Sequence, residues 1–137
     1  MRFMMMIYPD AMAEAGVMPD VETVSAMMKY NEELAKAGAL ISLDGLHPSS
    51  KGARIAFAGG KTTVTDGPFT ETNEVLGGYW IIQVKTRDEA IEWARRVPPS
   101  HTLKIELRQV FEMADFPADV QEAADNPMVR AQVDLHA

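Results

Sequence analysis

The chain has 137 residues, 47% of them hydrophobic, no cysteine, and a formal charge of −7 from 20 acidic and 13 basic side chains. This is the arithmetic of one ordinary soluble domain with a single core, and it excludes disulfides, thiol catalysis and cysteine-bound metal. The acidic balance argues against a nucleic-acid surface, and the apolar start Met1 to Ile7 is too short to span a membrane and lacks the parts of a signal peptide, so a cytoplasmic protein is expected.

Arg2 to Tyr8 reads as a strand that is apolar on both sides, with Phe3, Met5 and Ile7 opposed to Met4, Met6 and Tyr8. A strand apolar on both faces belongs in the middle of a sheet, covered above and below. A loop with Pro9, Gly16 and Pro19 follows. From Asp20 to Ala37 apolar residues recur at helical spacing (Val24, Met27, Met28, Leu34 and Ala35), with Asp20 placed to cap the start and Gly38 to end the helix. Ala39 to Leu43 is a short strand leading into a polar, turn-rich stretch. Arg54 to Ala58 and Lys61 to Thr65 flank Gly59-Gly60, which predicts a hairpin pairing Ile55 with Val64 and Phe57 with Thr62.

Tyr79 to Lys85 is a strong strand with Trp80, Ile82 and Val84 on one face. Thr86 to Glu89 has the form of a capping box opening a helix with Ala90, Ile91, Ala94 and Val97 on one stripe, which Pro98-Pro99 stops. The last strand is expected from Lys104 to Met113, with Ile105, Leu107, Phe111 and Met113 on its apolar side and Glu106, Arg108 and Glu112 opposite. This order implies an α+β fold, a ferredoxin-like split βαβ with an antiparallel sheet and two helices on one face. Because the first strand is apolar on both sides, the second sheet face needs a cover, and a second copy is the simplest one, so a homodimer is expected. Residues 1–116 form the domain. Residues 117–137 form an acidic extension, with a short helix starting near Pro117. From residue 114 onward five acids face Arg130 alone, which is −4, and the remaining 15 acids and 12 bases leave −3, with Lys51, Arg54 and Lys61 making the hairpin locally basic.

Two side chains are acid/base candidates. Asp66 precedes Gly67-Pro68, where turn chemistry alone would also call for an aspartate. His47 ends a strand in Gly45-Leu46-His47-Pro48, where a carboxylate such as Asp66 could orient its ring; an exposed loop histidine is the alternative. Glu71 and Glu74 stand three apart and could share a proton or hold a metal, or be solvated surface. His101 and His136 suggest no role. No metal-ligand spacing and no phosphate-cradling glycine motif occurs, so no metal and no cofactor is expected. Asn31 lies on the apolar stripe of the first helix and needs a partner, either a backbone group or the motif loop.

The run Val64-Thr65-Asp66-Gly67-Pro68-Phe69-Thr70-Glu71-Thr72-Asn73-Glu74, with Gly77-Gly78-Tyr79-Trp80-Ile81-Ile82 after it, resembles the signature of the YCII-related family in its DGPF-motif branch. Lys29 to Leu34, Gly45 to Ser50, Asp88 to Ala94 and Ile105 to Phe111 extend the resemblance over residues 1 to about 116. It implies a dimeric α+β barrel with a cleft around the motif. Set beside the candidates read from the residues themselves, the first expectation is a small molecule bound in that cleft, with Asp66 and His47 as acid/base candidates and Tyr79, Asn31, Arg54, Phe69, Glu74 and Arg108 as candidate ligand contacts. A His-Asp pair has been proposed as the active site in the short branch; the first helix here offers no matching histidine, and Asn73 replaces the usual lysine. Some members accompany extracytoplasmic-function sigma factors, so the rival expectation is a non-catalytic regulatory or interaction module. Neither reading calls for direct nucleic-acid or membrane contact.

Overall fold

The computed structural model describes residues 1–70 and 74–137. Strand β1 (Arg2–Pro9) leads through a short helix α1 (Ala11–Glu14) to the long helix α2 (Val21–Lys36) and strand β2 (Leu40–Gly45). A hairpin of β3 (Ala53–Ala58) and β4 (Lys61–Asp66) precedes β5 (Gly78–Gln83), α3 (Arg87–Arg95) and β6 (Thr102–Gln109). Helices α4 (Ala118–Ala124) and α5 (Pro127–Leu135) follow. The four long-range strands pair antiparallel in the order β2-β5-β1-β6, the ferredoxin-like arrangement expected from the element order.

Strand β1 is central, as its two apolar sides require. Phe3 and Met5 lie opposite Ile82 and Trp80 of β5, and these join Leu34 and Tyr30 of α2 and Ala90 and Trp93 of α3 in one core. Both helices therefore cover the same face. On the other face Met4, Met6 and Tyr8 are only half-buried in the single chain.

The helices start where their caps are. Asp20 accepts from the Thr23 amide at 2.7 Å, Thr86 accepts from the Glu89 amide at 3.1 Å, and Gly38 takes the left-handed conformation that ends α2 at φ 70°. Glu89 reaches one residue further back than a capping box predicts and accepts from Lys85. The α2 stripe also differs from the expected one: Val24 and Met28 are exposed, while Tyr30 is buried with its hydroxyl donating to the Trp93 carbonyl at 2.7 Å. Hydrophobic spacing selected the wrong edge of the stripe because one tyrosine satisfies its polar tip inside the core.

The hairpin has the predicted register, Ile55 to Val64 and Phe57 to Thr62, about a turn whose Gly59 and Gly60 have φ 58° and 75°. It forms a separate two-stranded sheet. Strand β6 stops earlier than expected. The Val110 amide bonds the carbonyl of Arg2, the first residue of β1, so no partner strand extends past that point; Phe111 is exposed and Met113 enters a single 3-10 turn. The turn-rich stretch before α2 contains α1, whose cap Asp10 accepts from the Ala13 amide at 2.9 Å. A helix does begin after Pro117, and α5 adds a second one.

Candidate functional site

A pocket of about 320 Å³ opens between α2 and the end of the sheet. Its walls are mainly apolar, built from Ile7 of β1, Val24, Met27 and Met28 of α2, and Leu43 of β2, with Trp80 on the sheet. Val24 and Met28, displaced from the expected core stripe, are exposed because they face this space. At the wall, Asn31 accepts a 2.8 Å bond from the Trp80 indole, and its amide nitrogen lies 3.6 Å from the Met28 sulfur. The buried amide thus finds an indole instead of the expected backbone group or motif loop.

The polar part of the pocket gathers at the joint between β1 and β6. The register of these two strands shifts between Tyr8 and Pro9, bringing Pro9 opposite Thr102. One residue beyond, the Asp10 amide donates to the His101 carbonyl at 3.0 Å, and the Asp10 carboxylate meets His101 Nδ1 at 3.0 Å. His101 has φ 57°, an uncommon backbone conformation for a side chain of this size, which closes the tight turn after Pro98-Pro99. Both side chains are about one third exposed, at 34% and 30%.

The bond from the Ala13 amide, assisted by the one to His101, holds the Asp10 carboxyl below the usual carboxylate range. An ionised carboxylate can only accept, so the ring presents Nδ1–H to it and a neutral imidazole keeps its lone pair at Nε2. Thr23 and Ser100, whose hydroxyls lie 3.4 Å apart, complete this rim.

The DGPF loop supports the site from behind. The Ser49 hydroxyl, buried, donates to Glu14 of α1, the Ser49 amide donates to the same oxygen at 3.0 Å, and the Phe69 amide donates to Ser49 Oγ at 3.0 Å. Gly67 passes so close to the Ser49 carbonyl that a Cβ there would sit 1.7 Å from its oxygen. The motif needs glycine at that point because of this contact, which joins the loop to α1 and through α1 to Asp10.

The residues singled out in the sequence fall in several places. Asn31 and Tyr79 border the pocket. The Tyr79 hydroxyl donates to Asp44 at 2.9 Å, and that bond raises its pKa. Asp66 ends β4 and His47 follows β2, both exposed; no hydrogen bond or ion pair joins them, and neither lines the pocket. The Arg54 guanidinium stacks on the Phe69 ring at 3.8 Å, each engaging the other away from the pocket lining. Arg108 lies 3.5 Å from Glu106 on the open sheet face, and Glu74 is exposed near Tyr8, whose pKa rises chiefly by desolvation. Glu71 lies outside the described residues. Sequence reasoning passed over Asp10 and His101; the available signal was an aspartate at a strand end and a histidine just past Pro98-Pro99, 91 residues apart. Among the described residues no three histidine, aspartate or glutamate side chains gather as a metal site, and no helix is long and apolar enough to cross a membrane.

The fold and pocket define a small α+β protein with a ligand-sized apolar cavity and a histidine-carboxylate pair at its rim. Residues 1–114 match the YCII-related domain, and the chain belongs to that family. An uncharacterised protein of Rhizobium meliloti (strain 1021) is 39% identical over 79 residues, which cover 58% of this chain and 59% of that protein, so the match spans less than two thirds of the relative's length. Among solved structures, 5-chloro-2-hydroxyhydroquinone dehydrochlorinase from Burkholderia phenoliruptrix, in complex with 2,5-dihydroxybenzoquinone, is 12% identical with a TM-score of 0.48, covering 82% of this chain and 95% of its own.

Proposed function

We propose that the protein binds a small, largely apolar molecule in the pocket under α2 and exchanges a proton with it through the Asp10–His101 pair, in a homodimer whose second copy covers the open sheet face. The carrying observation is the 3.0 Å contact between His101 Nδ1 and the Asp10 carboxylate at the rim of the apolar cavity. Apolar walls exclude water from most of a bound molecule, and a few polar groups at one end fix its orientation. The carboxylate fixes the ring and stabilises the imidazolium that forms when Nε2 takes a proton from the ligand; the same nitrogen then returns it. Asp10 and His101 thus take the acid/base roles first expected of Asp66 and His47, and Asn31 and Tyr79 remain as ligand contacts.

Thermal shift against small phenols, aromatic carboxylates and enolisable carbonyl compounds tests the binding step. One class is expected to raise Tm saturably, as a ligand specific for the native state does. Val24→Trp, which fills the pocket from α2, is expected to abolish that rise. In D2O, exchange of an acidic C–H of the bound compound is expected with the wild type and lost in H101Q with binding retained. The reading fails if no class gives a saturable shift, or if H101Q exchanges as fast as the wild type.

A further inference from the structure

Besides the open sheet face, two further apolar faces are exposed among the described residues, and they are complementary. The first is on the β3–β4 hairpin, where Ile55 and Val64 are directly paired and Phe57 adjoins them, exposed at 51%, 64% and 81%. An isolated two-stranded sheet gains little from its own pairing, and three large side chains side by side in water are a surface that asks for a cover. The second is on α5. Met128, Val129, Val133 and Leu135 fall on about half of the helix circumference, with Arg130 and Asp134 opposite, and no residue of α5 is buried. An amphipathic helix of this length gains most of its stability from packing its apolar stripe, and among the described residues that stripe is exposed, from 59% at Val129 to 83% at Met128.

Charge selects the pairing. The hairpin and the turn before it carry Lys51, Arg54 and Lys61 against Asp66, whereas the two C-terminal helices carry Asp119, Glu122, Asp125 and Asp134 against Arg130, which is itself paired to Asp125. Arg130 and Asp134 balance on α5 itself, and the acids Asp119, Glu122 and Asp125 on α4 and its end just before it give the C-terminal helices the net negative charge that steers them toward the basic hairpin of another copy.

We propose that α5 of one copy docks with Val129 and Val133 on the Ile55–Phe57–Val64 face of the hairpin of a second copy. A two-fold axis makes the exchange reciprocal, so each dimer contains two such contacts and leaves neither apolar face in water. The contact is separate from the pocket and stands or falls independently of the ligand reading.

The absence of cysteine makes the test clean. Phe57→Cys chains labelled with nitrogen-15 are mixed with unlabelled Val133→Cys chains and oxidised mildly, and the cross-linked peptides are sorted by mass. A disulfide joining residue 57 of a labelled chain to residue 133 of an unlabelled one is expected as the dominant product, and F57D introduced into the hairpin of a Val64→Cys chain is expected to reduce its cross-linking to Val133→Cys at least tenfold. In parallel, the double variant F57C/V133C is oxidised at low micromolar concentration. Cross-linking within single chains there, without inter-chain product in the mixture, overturns the proposal in favour of docking in cis. Absence of any 57–133 cross-link while circular dichroism shows the variants folded overturns it outright.

Discussion

The inner wall of the pocket depends on how α2 is fixed over the sheet, and one hydroxyl makes that dependence measurable. Tyr30 is 4% exposed and its hydroxyl donates to the carbonyl of Trp93 at 2.7 Å, tying α2 to α3, while its ring meets Trp80 and Trp93 edge to face at 5.6 and 6.2 Å. Tyr30→Phe removes that bond and keeps the ring. The Trp93 carbonyl still accepts from the Arg96 amide at 3.1 Å, so it is not orphaned, and the loss stays near the ordinary net value of about 1 kcal/mol. For a chain of this size that corresponds to a fall in Tm of roughly 3–5 °C at pH 7. Burial also raises the Tyr30 pKa well above its usual value. The unfolded tyrosine releases its proton near pH 10 while the folded one keeps it, so the native state binds more protons and wild-type stability declines as pH rises beyond about 10. Y30F lacks that decline at this position. Its Tm deficit, followed by calorimetry from pH 7 to pH 11, is therefore expected to shrink above pH 10. An unchanged Tm at pH 7, or a deficit constant across the whole range, refutes the reasoning.

Further expectations follow from the caps, the motif and the ion pairs. Gly67→Ala cannot be accommodated without moving the Ser49 backbone, so the Gly67 amide, bonded to Gly52 at 2.9 Å, and the Phe69 amide should lose hydrogen-exchange protection. Gly52→Ala, whose Cβ would lie 3.4 Å from the same oxygen, should stay within about 0.5 kcal/mol of wild type in urea unfolding. Thr86→Ala should cost about 1 kcal/mol in the same assay, because the Glu89 amide loses its cap. The carboxyls of Glu112, held low by Arg2, and Asp10, held low chiefly by the Ala13 amide, contribute stability above the unfolded carboxylate range. That stability is lost as pH falls below about 4, and the double variant D10N/E112Q should show a shallower acid decline of Tm than wild type.

The legible parts of the fold were those set by neighbours in sequence. Gly59-Gly60 dictated a turn with positive φ, and the register of Ile55 with Val64 followed from it. The two apolar sides of β1 placed it at the sheet centre, and Asp20 and Thr86 marked helix starts. Contacts made across the chain were not legible. Tyr30 turns inward because of the Trp93 carbonyl 63 residues away, freeing Val24 and Met28 to face a pocket. The Asp10–His101 pair exists because the β1–β6 register shifts at Tyr8 and Pro9, and a bulge in one strand leaves no mark in the other. The DGPF motif was visible as a turn, but the reason for its glycine is the Ser49 carbonyl, which only folding brings there.

The most direct test is a heteronuclear NMR titration reading the His101 ring nitrogens and the Trp80 indole, with the phenol, carboxylate and carbonyl panel as probes. In the free protein His101 is expected to carry its proton on Nδ1, facing Asp10. A binding probe should shift the His101 Nε2 and Trp80 Nε1 signals along one saturable curve, which Val24→Trp abolishes. A proton on Nε2 in the free neutral ring, or saturable shifts confined to residues outside the pocket, contradicts the assignment of this cavity as the functional site.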